Sequence, residues 1–109
     1  MNFNEYQNKA LETAIYPNFG NNIYYPALGL GGEVGEVLEK IKKLMRDNDG
    51  IVTPEIQASI KKELGDVLWY LAVISYEFKI ELEDVALGNI EKLSDRKNRN
   101  ELKGNGDNR

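Results

Sequence analysis

Two short acidic patterns carry the chemistry this sequence could perform: Glu33-Val34-Gly35-Glu36 and Glu63-Leu64-Gly65-Asp66. Residues three apart on a helix share a face, so each pattern can present two carboxylates to one point. Acids at that spacing are also common on solvated helices, and neither pair alone identifies a site. Together they say more. At about 100° per residue, the acids of each pair lie along the same edge of their helix's apolar stripe. The connection between the two helices is short, which makes them antiparallel neighbours. Both pairs then fall on one side of the seam, each about 17 Å of helix from the turn. The four carboxylates converge.

Converging carboxylates repel, by about 4 kcal/mol per pair at about 4 Å and an effective dielectric near 20. Protons, salt-bridge partners or a cation must offset this. One reading is a surface network neutralised by Lys40, Lys43, Lys61 and Lys62. The other is a metal site. The chain has no histidine and no cysteine, so ligation would be all-oxygen, suiting a hard cation such as Mg²⁺ or Mn²⁺. A di-iron bundle requires Glu-x-x-His pairs and is excluded. Thiol and imidazole chemistry are excluded too. Gly35 and Gly65 each cost about 1 kcal/mol against alanine inside a helix. Close helix approach, a ligand against the backbone, or simple tolerance would account for them.

A second set lies on the last helix, where Asn89, Lys92 and Arg96 share a flank. Arginine offers paired donors to phosphate and lysine a point charge, so the set suits a triphosphate as well as a solvated face pairing with Glu91 or Asp95. Phe3, Tyr6, Tyr16, Phe19, Tyr24, Tyr25 and Trp69 are available to stack a base or to pack the core.

Four helices must position these groups. The pattern predicts helices over Phe3 to Ile15, Ala27 to Arg46, Pro54 to Phe78, and from Glu81–Asp84 to Asn98. A proline-, asparagine- and tyrosine-rich loop spans Tyr16 to Pro26. Val34, Val37, Leu38, Ile41, Leu44 and Met45 form the second helix's stripe. Asp47 to Gly50 closes that helix, and Thr53-Pro54 caps and opens the third. The run Val67 to Ile74 is apolar all round, which predicts a central helix or one in a subunit interface. On composition, the closing KGNGDNR reads as a frayed tail.

The chain has 109 residues, 41% hydrophobic and 29% charged, with a net charge of −4. One all-α domain over 1–100 and a polar tail over 101–109 follow. The charge argues against a nucleic-acid partner, and no apolar run is long enough to cross a membrane. A cytoplasmic protein is expected, and so small a domain gains from self-association.

The stretches GGEVGEVLEKIKK, KKELGDVLWYLA and NIEKLSDR, in that order from about Tyr25 to Arg96, resemble the MazG-like nucleotide pyrophosphohydrolases. The closing GNGDNR resembles the tail of a small single-domain subgroup. The resemblance implies an all-α NTP pyrophosphatase fold, a four-to-five-helix bundle completed by oligomerisation as a homodimer or homotetramer. It implies Mg²⁺-dependent cleavage of a (deoxy)nucleoside triphosphate to the monophosphate and pyrophosphate. The family's metal ligands fall on Glu33, Glu36, Glu63 and Asp66, and its phosphate contacts on Lys92, Arg96 and Asn89. The family pattern usually begins with two adjacent glutamates, the first of which is Gly32 here, and this bears on how many ions such a site would hold. The competing expectation is a non-catalytic helical dimer, binding nucleotide or regulating, with the acids in salt bridges.

Overall fold

A computed structural model describes residues 1–109 as four helices and no strands: α1 (Phe3–Leu11), α2 (Tyr24–Asn48), α3 (Pro54–Glu77) and α4 (Leu82–Asn98). The all-α expectation holds, and the boundary differences have local causes. Asn2 caps α1, its Oδ1 accepting from Glu5 N at 2.8 Å. The helix stops at Leu11, short of the expected Ile15. The Ala10 carbonyl, which would carry the helix onward, is taken by Thr13 N, Thr13 Oγ1 and Trp69 Nε1. Ala14 N turns to the Leu11 carbonyl instead.

α2 begins three residues earlier than its pattern suggests. Asn22 Oδ1 accepts from Tyr24 N and Tyr25 N, and Pro26 sits in the first turn, where a missing N–H costs nothing. Asp49 and Gly50 end the helix with positive φ, and the Gly50 N–H returns to the Leu44 carbonyl. Thr53 and Pro54 then start α3 as expected, with Thr53 Oγ1 accepting from Ile56 N at 3.2 Å.

α2 and α3 run antiparallel along their lengths. Gly29 lies against Tyr70, Glu33 neighbours Glu63 and Asp66, and Lys40 meets Ser59 and Glu63. Gly29 is the glycine this seam requires, because a Cβ there would overlap the Tyr70 ring.

The core sits at the other end, where α1 wedges between the end of α3 and the start of α4. Ala10, Ala72 and Leu82 form one cluster and Ala14, Tyr16 and Val73 another, with Trp69 packed on both. Buried Gln7 joins the three elements: its Nε2 donates to the carbonyls of Ala72 and Ile80, and its Oε1 accepts from Leu82 N. Only 11 of 109 residues are buried. The Cα radius of gyration is 16.8 Å, against about 13 Å for a closed domain of this length. Much of the apolar stripe of α2 faces outward, with Leu38 63% and Met45 71% exposed. The central run of α3 buries Ala72 and Val73 completely, while Leu71 stays partly open. The single chain is a half-closed bundle.

Candidate functional site

The acidic face lies midway along the α2–α3 seam. Glu33, Glu63 and Asp66 each bring a carboxylate oxygen within 4.8 Å of the others. The antiparallel register explains this, because it sets Glu33 level with Asp66 and Glu36 level with Glu63. Glu36 lies outside the tight trio and is exposed. The structure thus gathers three of the four acids and leaves the fourth at the rim.

The trio's charges act on one another. The Glu33 carboxyl is pushed above the ordinary carboxylate range, first by burial and then by the charges of Asp66, Glu63 and Glu36. Of the four lysines that might neutralise the cluster, Lys40 alone pairs with it: Nζ lies 3.5 Å from Glu63 Oε1 and donates to Ser59 Oγ at 2.6 Å. Lys43 pairs with Glu39. One lysine does not offset three carboxylates. The donor set is all oxygen, mutually repelling and close enough to share one ion, so it fits a hard divalent cation.

Two tyrosines border the acids. Tyr6 of α1 has its phenol pushed up by burial and then by the Asp66 charge. Tyr70 is pushed up by burial, then by Tyr25 and Glu33. Tyr70 escaped the sequence reading, although it stands one turn after Asp66 on the same face of α3. Gly35 and Gly65 have open space where a Cβ would be, so helix approach within one chain does not explain them.

The α4 set is arranged differently. Asn89 is exposed, and the partners of Lys92 and Arg96 come from the tail. Lys92 Nζ lies 3.0 Å from Asp107 Oδ1, and Arg96 Nη2 lies 3.5 Å from the same oxygen while also donating to the Asp107 carbonyl. These contacts, with the bond from Lys92 first, hold the Asp107 carboxyl below its ordinary range. Neither cation pairs with the acids of α2 and α3. The tail is therefore folded back on α4, where composition suggested fraying.

The aromatic residues divide. Tyr16 stacks on Tyr25 and Phe19 on Tyr76. Trp69 is anchored in the core through Nε1 to Thr13 Oγ1 at 2.8 Å. Their packing is that of a loop pinned to the bundle. No helix is long and apolar enough to cross a membrane.

Residues 26–100 match the MazG nucleotide pyrophosphohydrolase domain. The chain is 41% identical over 114 residues to the Gene 37 protein of Mycobacterium phage L5, covering 100% of each chain. That relative's name is silent on activity. No solved structure matches.

Proposed function

The chain belongs to the MazG nucleotide pyrophosphohydrolase family, and from that premise we propose that it cleaves a (deoxy)nucleoside triphosphate to the monophosphate and pyrophosphate with Mg²⁺. The convergence of Glu33, Glu63 and Asp66 within 4.8 Å carries this reading. Those three acids would hold the ion, with Mn²⁺ as a substitute, and Glu36 would close the set from the solvent side. Bound there, a divalent cation supplies Lewis acidity towards the phosphate oxygens and a more acidic water.

The chain's own groups account for the rest. Water attacks the α-phosphorus, the bond from that phosphorus to the bridging oxygen breaks, and pyrophosphate leaves. One of the acids, Glu36 or Glu63, would take the water's proton. Lys92, Arg96 and Asn89 would stabilise the charge that develops on the leaving pyrophosphate. Residues 1–100 form the catalytic domain in this reading, and 101–109 an appendage to it.

Oligomerisation belongs to the same proposal. The outward stripe of Val34, Leu38, Ile41 and Met45 suits a second copy, giving a homodimer or homotetramer. It would also wall in the acid face from the solvent side.

The Lys40–Glu63 pair favours a second reading, a nucleotide-binding or regulatory dimer without turnover. A panel of NTPs and dNTPs, assayed for pyrophosphate with Mg²⁺ and with EDTA, separates the two. Mg²⁺-dependent release that yields the monophosphate is the expected result. A folded protein that binds triphosphate without releasing pyrophosphate would support the second reading.

A further inference from the structure

We propose that the C-terminal segment is a built-in competitor: Asp107 occupies the Lys92–Arg96 pair on α4, and an incoming polyphosphate must displace it. This rests on reading α4 as the phosphate-binding helix. One carboxylate oxygen, Asp107 Oδ1, lies 3.0 Å from Lys92 Nζ and 3.5 Å from Arg96 Nη2, the position that an oxygen of a bound phosphate would take between two cations. The Asp107 carbonyl fills a further donor position of the same guanidinium. With 5% of its side chain exposed and its side-chain hydrogen bonds directed to Asp107, Arg96 cannot meet a phosphate while the tail is docked.

The segment is built to come back to α4 and to leave it. Gly104 and Gly106 have φ of 139° and 84°, which lets the chain reverse at little cost. Arg109 ties the segment to itself, donating to the carbonyls of Glu101 and Leu102 at 3.1 Å each, and its own carbonyl accepts from Arg99 at 2.7 Å. Glu101 N donates to the Arg96 carbonyl at the start of this unit, and Asp107 is the residue that meets the side chains of Lys92 and Arg96. Asp107 is itself 82% exposed, so water reaches its carboxylate and screens the pairing with Lys92, even though Arg96 is covered. A single carboxylate is therefore easily replaced by a polyphosphate carrying several charges. Docked, the tail keeps two cations paired and shielded from stray anions. Released, it frees both for substrate.

The test uses inorganic tripolyphosphate and the full-length chain, with Asp107→Asn as the variant. Since Asp107 is exposed, the substitution leaves the fold intact. Hydrogen–deuterium exchange of residues 101–109 should rise in the wild type when tripolyphosphate is added. Asp107→Asn should bind tripolyphosphate about two- to fivefold more tightly and lower the KM for triphosphate substrate equally, with kcat unchanged. Exchange that stays low or falls with ligand bound, failure of tripolyphosphate to bind, or weaker binding by Asp107→Asn would overturn the proposal. If tripolyphosphate mobilises the tail but no NTP yields pyrophosphate, the catalytic reading fails and the tail competitor stands. If pyrophosphate is released while the tail stays protected, the reverse holds.

Discussion

The C-terminal end of α3 and the middle of the α2–α3 seam solve opposite problems with the same residue types. Near its C-terminus, buried Glu77 accepts hydrogen bonds from the Tyr16 hydroxyl at 2.5 Å, Gly20 N at 2.7 Å and Asn22 N at 2.9 Å. Burial alone would raise the Glu77 carboxyl, but the three bonds outweigh it and hold the group below its ordinary range. The Tyr16 phenol is correspondingly raised, by burial first and then by its bond to Glu77. No buried side-chain polar atom in the chain lacks a partner. Across the middle of the seam, Glu33 of α2 is raised by burial and by other carboxylates. One acid is satisfied and holds the aromatic loop to the bundle; the others are left in mutual repulsion that a cation would relieve. The buried clusters and satisfied polar groups lie at one end of the seam, and the mutually repelling acids lie at its middle.

The largest expected effect falls on the unsatisfied side. Glu63→Gln and Asp66→Asn should each reduce Mg²⁺-dependent turnover on the order of a hundredfold or more, while circular dichroism shows the helices unchanged. Near wild-type rates in either variant would remove that residue from the site. The matching change on the satisfied side, Glu77→Ala, should leave turnover per folded molecule close to normal and lower stability by about 2–4 kcal/mol. Urea unfolding measures this directly. Its pH dependence has a definite sign: a depressed carboxyl contributes stability above the ordinary carboxylate range and loses it as pH falls through the native value. Wild type should therefore lose more stability than Glu77→Gln on acidification, and equal losses would mean that Glu77 is not held as described.

Two glycines sharpen the comparison at smaller cost. Gly29→Ala forces a Cβ into the Tyr70 ring and should cost about 1–3 kcal/mol by overpacking the seam. Gly35→Ala meets nothing and should stabilise the chain by about 0.5–1 kcal/mol, read as a rise in Tm. If it also lowers turnover, a ligand or a second copy lies against that backbone, and unchanged turnover would leave Gly35 as simple tolerance.

What the sequence made legible follows the same division. Helices α2 and α3 and the turn between them were readable because their signals are local: an i, i+3, i+4 stripe, a Gly stop and a Thr-Pro start. The acid trio was readable because helix phase and a short turn fix which edges meet. The true end of α1 was not, since Trp69, distant in sequence, joins Thr13 in taking the Ala10 carbonyl. The start of α2 escaped for a milder reason, as Asn22 outcompetes Pro26 as the starting signal. Gly29 was invisible because its cause, the Tyr70 ring, lies on the other helix. The tail read as fraying because composition does not show that Lys92 and Arg96 face back along the chain towards Asp107. Glu36 was grouped with the trio by helix phase and by the resemblance; its place at the rim could not be read, because phase places a Cβ but not the rotamer of a long side chain.

The most direct test of the central claim is turnover of a nucleoside triphosphate in isotope-labelled water with Mg²⁺, comparing wild type with Asp66→Asn by mass spectrometry of both products. Wild type should give labelled nucleoside monophosphate and unlabelled pyrophosphate, and the variant neither product. Label in the pyrophosphate, or undiminished release by Asp66→Asn, would contradict that claim.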